Sequence, residues 1–130
     1  MMPLIKFHII EGRTEEEIKL LTDTVHNAMV ESFQVPDSDR YQIVSQHKPY
    51  EMNIQDTGLG FNRTDEVVVI SVTSKARSLE MKETFYQLTA RNIQEKCNIS
   101  GENIVINITE NNDPDWSFGN GEAQFINGRL

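Results

Sequence analysis

Thr14 and Ser78 are both helix-capping hydroxyls, and they stand 64 positions apart. Without a gap, the same offset lays Arg13 on Arg77 and Pro3 on Val67. It lays the stripe Leu21, Val25, Met29 and Phe33 on Phe85, Thr89, Ile93 and Cys97, and Tyr41–Val44 on Val105–Ile108. An internal repeat of this period means that one supersecondary unit has been used twice. The unit is β-α-β, with approximate repeats at 3–47 and 67–111. The expected fold is therefore α+β, an α/β two-layer arrangement within a single domain spanning 1–130. One four-stranded sheet carries two helices on one face, and the strands within each unit run parallel.

The elements follow from local chemistry. Leu4–Ile10 splits into Leu4, Lys6, His8 and Ile10 on one side and Ile5, Phe7 and Ile9 on the other, the period of a strand. Thr14 with Glu17 makes a capping box, and Glu15 and Glu16 add negative charge at the positive end of the helix. Apolar residues at helical spacing carry that helix to Phe33, before Val35-Pro36. Tyr41–Gln46 reads as a second strand, 48–66 as irregular, and Val67–Thr73 as the most apolar strand. Ser78 caps a helix to about Cys97, and Ile104–Thr109 is a fourth strand. Asn111–Asn120 is a polar loop, and Gln124–Ile126 is expected to form a short terminal strand. Helices on one face leave the other face of the sheet uncovered. Its β-branched residues predict assembly with further copies of the chain.

Composition excludes several functions. The chain has 130 residues and a net charge of −8, which disfavours nucleic acid or an anionic membrane as partner. A single cysteine, Cys97, gives no intramolecular disulfide and no multi-cysteine metal site. In the repeat it takes the place of a core phenylalanine, so it reads as a small buried hydrophobe. His8, His26 and His47 lack metal-ligand spacing, and no cofactor or metal is expected. No run is long and apolar enough for a signal or a membrane span, so the expected location is cytoplasmic. Asp56-Thr57-Gly58 matches an aspartic-protease triplet, but two capped helices contradict the all-β fold which that chemistry uses. The triplet reads as a turn.

Four positions carry the chemistry of interest. Pro3 leads directly into the first strand. Within a chain, proline there blunts a strand start because it has no N–H to donate. As a first residue it would be a secondary amine, and an α-amino group titrates at roughly 7.7–8.0, where a general base is most useful. With Met1 and Met2 attached the nitrogen is an amide without a basic lone pair. The active form is therefore expected to begin at Pro3. Asp39 stands at the start of the second strand, as a turn acid or as a carboxylate beside that amine. Lys75 and Arg77 follow the third strand, as a solvated turn or as a carboxylate clamp. Trp116, Phe118 and Phe125 lie in a polar tail, where aromatics pin the segment or wall a pocket.

Taken together these blocks resemble the tautomerase superfamily, and within it the malonate semialdehyde decarboxylase-like branch. The matching stretches are P-L-I-K-F-H-I-I-E-G-R-T at 3–14, D-R-Y-Q-I-V at 39–44, D-T-G-L-G-F at 56–61, V-V-V-I-S-V-T-S at 67–74 and D-W-S-F-G at 115–119. The resemblance implies a homotrimer with sites between subunits and a small anionic oxo-acid substrate. By position it implies Pro3 as the catalytic amine, Asp39 as the assisting carboxylate and Arg77 as the substrate-carboxylate ligand. It implies Trp116, Phe118, Phe125 and Leu130 as the apolar wall. Lys75 departs from the pattern, which has a second arginine. Lysine keeps the charge and loses the bidentate fork. The expected activity is keto–enol tautomerisation of a 2-oxo acid, with decarboxylase or hydratase chemistry as the alternative. The same element order also suits a non-catalytic ferredoxin-like ligand-binding module.

Overall fold

The computed structural model describes residues 3–130. The expected removal of Met1 and Met2 concerns residues outside that range. The first unit is β1 (Leu4–Ile10), α1 (Glu15–Phe33) and β2 (Tyr41–His47). The second is β3 (Val68–Lys75), α2 (Leu79–Cys97) and β4 (Ile104–Asn111). The repeat holds at both ends of both helices. The Thr14 Oγ1 accepts from the Glu17 amide at 3.1 Å, and the Glu17 carboxylate accepts from the Thr14 amide at 2.9 Å. The Ser78 Oγ accepts from the Met81 amide at 3.1 Å. Each helix closes on a left-handed residue at φ 56°, Gln34 in α1 and Asn98 in α2, again 64 positions apart. The first helix thus ends on its own left-handed cap, two residues before Pro36.

The sheet order is β2-β1-β3-β4. The strands within each unit are parallel, and the units join through the antiparallel pair β1 and β3. A ferredoxin-like module separates the two strands of a unit by inserting another between them. Here β1 bonds β2 directly and β3 bonds β4 directly, which rules out that alternative. Register puts Ile5, Phe7 and Ile9 on the same face as Val72, Ile70 and Val68. All six are buried in one cluster with Leu21, Val25, Met29 and Phe33 of α1 and Phe85 and Ile93 of α2. Both helices therefore cover the same face. No helix among the described residues is long and apolar enough to cross a membrane.

Three details differ from the sequence expectation. The third and fourth strands each run two residues past their expected ends, because Ser74 and Lys75 pair with Glu110 and Asn111. Gln124–Ile126 is a turn and not a strand: the Ile126 and Asn127 amides both donate to the Ala123 carbonyl, which curls the backbone away from any ladder. The uncovered face is more mixed than expected. Ile43 is 50% exposed and Tyr41 39%, but Lys6, His8, Ser71, Thr73 and Asn107 share that face. On it the Nδ1 of His8 lies 2.9 Å from the Nε2 of His47, a contact that strand-by-strand reading missed.

Core burial makes a direct test. Phe85 is fully buried and touches the Phe33 ring at 5.6 Å between centroids, whereas Leu59 is 67% exposed. Phe85→Ala is expected to cost about 3–5 kcal/mol and Leu59→Ala less than about 0.5 kcal/mol, read from denaturant unfolding midpoints.

Candidate active site

Register alone gathers the candidate residues. Leu4 pairs with Tyr41 in the parallel direction and with Thr73 in the antiparallel one. The start of β1, the start of β2 and the end of β3 therefore lie at one end of the sheet. Parallel pairing of β3 with β4 adds Asn111, opposite Lys75. Pro3 stands just before β1 and is buried.

Asp39 is 8% exposed and precedes β2. A tight turn presents it. The Asp39 amide donates to the Pro36 carbonyl at 3.0 Å, and the buried His26 of α1 donates through Nε2 to the Asp37 carbonyl at 2.8 Å. The Asp39 Oδ1 has no hydrogen-bond partner among the described residues. Burial pushes its carboxyl above the ordinary aspartate value, against the opposing pull of positive charge from His26 and Arg77. Burial likewise lowers the Arg77 proton affinity, and the Asp39 carboxylate opposes that. Asp39 and Arg77 thus lie close enough for each to act on the other's charge.

The Arg77 guanidinium sits over the Phe33 ring, 5.1 Å from its centre, at the end of α1. Its backbone amide donates to the Glu110 carboxylate at 3.2 Å, and Glu110 also holds Lys82 of α2 at 2.8 Å. Those two bonds fix the turn that carries Arg77 from β3 into α2. Lys75 takes a different direction. Its ammonium lies over the Phe125 ring at 4.3 Å and pairs with Asp113 at 3.0 Å. The two cations expected to form one clamp rest on different rings.

The tail aromatics assemble. Trp116 stacks on Phe118 at 5.3 Å, and Phe118 meets Phe125 edge-on at 5.3 Å. Tyr41 at the start of β2 lies 5.8 Å from Phe118, between ring centres. The Trp116 indole donates to the Asn111 side chain at 2.7 Å, and Gln124 bridges the Phe118 amide and the Gly119 carbonyl. Leu130 remains exposed, with its amide donating to the Gln124 carbonyl. Sequence reading missed Tyr41, Asn111, Asp113 and Phe33 at this end. Tyr41 and Phe33 looked like ordinary strand and core residues, and Asn111 and Asp113 like generic loop polarity.

Elsewhere the Asp56 carboxylate accepts from the amides of Leu59 and Gly60, which is the turn expected of that triplet. Cys97 is half-buried, and burial raises its thiol pKa. Among the described residues no group of three or more histidines, cysteines or acids could hold a metal ion.

Sequence patterns of two families, each described as tautomerase enzyme, match residues 39–119 and 3–62. The first covers more than half of the chain. The chain belongs to the tautomerase family. Among its relatives is the probable tautomerase YrdN of Bacillus subtilis (strain 168), 52% identical over 99% of this chain and 100% of that protein. Two solved malonate semialdehyde decarboxylases share the fold of this tautomerase closely. One has TM-score 0.95 at 48% identity, covering 98% of each chain; it was solved as wild type, as inactivated enzyme, and with alanine replacing the proline at its first position. The other has TM-score 0.93 at 36% identity over 98% of this chain and 97% of that one, and was inhibited by 3-bromopropiolate. The placement in the malonate semialdehyde decarboxylase-like branch follows.

The raised Asp39 pKa has a signed consequence. The folded chain keeps that proton to a higher pH than the unfolded chain does. Its contribution to stability therefore falls as pH rises from about 4, the ordinary aspartate value, through the raised folded value. Asp39→Asn is expected to gain stability relative to the parent across that rise. The difference shrinks below about pH 4, as read from urea unfolding at a series of pH values.

Proposed function

We propose that this tautomerase acts through the free amine of Pro3 on small 2-oxo acids, converting keto and enol forms. The observation that carries the reading is the convergence of Pro3, Asp39 and Arg77 at one end of the sheet, with Asp39 and Arg77 electrostatically coupled. The proline altered in the solved decarboxylase stands first in that protein, which supports a form of this chain that begins at Pro3. Neutral Pro3 takes a proton from the carbon next to the 2-oxo group. The electrons of that C–H bond move into the enolate, and the charge gathers on oxygen. The Arg77 guanidinium holds the carboxylate and the growing negative charge, in a place where burial strengthens both interactions. The prolinium then returns its proton to the oxygen, giving the enol with no net change in protons. The apolar remainder of the substrate rests on Trp116, Phe118 and Phe125. Lys75 stands beside this wall, and Leu130 lies at the end of the chain. Copies of the chain associate through the uncovered sheet face as a homotrimer, which places these ends against neighbouring copies. The substrate is small and anionic, neither nucleic acid nor membrane is a partner, and the location is cytoplasmic.

A second reading, decarboxylase or hydratase chemistry, is favoured by the buried Asp39 beside Arg77. If the carboxylate keeps the amine protonated, Pro3 serves as an acid. The 48% identity to a malonate semialdehyde decarboxylase supports that reading as well.

Turnover of an enolisable 2-oxo acid, with protein beginning at Pro3, tests the proposal. Pro3→Ala is expected to lower the rate about 10²–10⁴-fold and Arg77→Ala about 10²–10³-fold. The chain that keeps Met1 and Met2 is expected to be inactive. Full activity of Pro3→Ala would overturn the reading. A rate that rises with pH through about 7–8 identifies the amine as base, and one that falls there identifies it as acid.

A further inference from the structure

The Lys75 ammonium is already engaged by a carboxylate. Its Nζ lies 3.0 Å from the Asp113 Oδ1 and 4.3 Å from the centre of the Phe125 ring. The backbone on both sides of Asp113 is tied down. The Asn111 backbone pairs with Lys75 at the end of the β3–β4 ladder, and its side chain accepts from the Trp116 indole at 2.7 Å. The Asn112 amide donates to the Asp115 carboxylate at 2.8 Å, and the Asp115 amide returns to the Asn112 carbonyl at 2.9 Å. Pro114 fixes its own φ inside that turn. The carboxylate is thus presented to Lys75 by a hydrogen-bonded turn. A cavity lined by Lys75, Ala76, Asn111, Asp113, Pro114 and Ile126 opens beside it.

We infer that Asp113 is an internal carboxylate that occupies the Lys75 seat and so biases the site toward 2-oxo acids carrying one carboxylate group. The inference rests on the proposed role of Arg77 as the seat for the substrate's own carboxylate. A monocarboxylate needs only that seat and lays its apolar remainder on the aromatic wall. A dicarboxylate must bring its second charge to Lys75, where it meets Asp113. It must then displace Asp113 or suffer its repulsion. The side chains of Lys75 and Asp113 are 29% and 48% exposed, so the pair is weak and exchangeable, and the discrimination is graded rather than absolute. The second cation of this chain therefore serves selectivity more than grip.

The experiment compares the parent, Asp113→Asn, Lys75→Met and the double variant. It uses one aryl-substituted 2-oxo monocarboxylic acid and one enolisable 2-oxo dicarboxylic acid. Asp113→Asn is expected to raise the dicarboxylate-to-monocarboxylate ratio of kcat/KM about three- to fivefold. Adding Lys75→Met is expected to abolish that rise, because the two residues act as a coupled pair. Glu16→Gln, which removes an exposed charge in the first turn of α1, beyond the opposite end of β1, is expected to leave the ratio in place. Calorimetric binding of malonate, which undergoes no turnover, should tighten in Asp113→Asn by a similar factor. This arm reads the seat even if the Pro3 chemistry is wrong. An unmoved ratio with unmoved malonate affinity overturns the inference. So does an equal gain for both substrates, which would mean that Lys75 joins Arg77 on a single carboxylate. Circular dichroism of each variant establishes that the fold is kept.

Discussion

The position of β1 governs everything else in this molecule. Like β3, it pairs in parallel with its own unit and antiparallel with the other. A parallel partner begins where β1 begins, and an antiparallel partner ends there. Residues 3, 39 and 77 are far apart in sequence, yet this arrangement requires their strand ends to coincide. No loop has to fold back to gather them. The apolar face of the same strand, Ile5, Phe7 and Ile9, is locked under both helices. A slip in register by one residue would turn that face to solvent, so burial of the core also holds the site's geometry.

Electrostatics at that end depend on restricted access to water. Asp39 is buried, with one oxygen lacking a hydrogen-bond partner among the described residues, and Arg77 is partly buried over an aromatic ring. A carboxylate and a guanidinium in such surroundings are screened less by water than exposed pairs elsewhere, such as Lys19 with Asp23. The tail contributes by laying Trp116, Phe118 and Phe125 beside the strand ends, where they limit solvent and offer apolar contact.

Much of this was legible in the residues. The 64-residue offset required two equal units, and matched caps at Thr14 and Ser78 placed both helices correctly. Alternation in Leu4–Ile10 identified the buried face. The C-terminal tail was less legible, because its order comes from side chains that do not repeat: the Trp116 indole on Asn111, the Gln124 amide on Phe118, and Lys75 on Phe125. Short polar segments carry no periodicity, so nothing in Gln124–Ile126 distinguished a turn from an edge strand. Lys75 and Arg77 looked like a matched clamp because two positions along an ideal strand share a face. The strand ends at Lys75, and beyond it the backbone no longer obeys that rule.

The far end of the sheet shows what joining the two units made available. At the position equivalent to Pro3 stands Val67, buried and mid-chain, where no amine can exist. At the position equivalent to Asp39 stands Asn103, whose side-chain amide accepts from the Thr64 amide at 2.9 Å and donates to the Thr64 hydroxyl at 3.0 Å. Arg13, the counterpart of Arg77, donates to the Glu66 carbonyl at 2.7 Å. Separate identical units could not differ in this way, since any change would appear at every end. Covalent linkage lets one end specialise as scaffolding, clasping the long connection before β3, while its twin carries Pro3, Asp39 and Arg77.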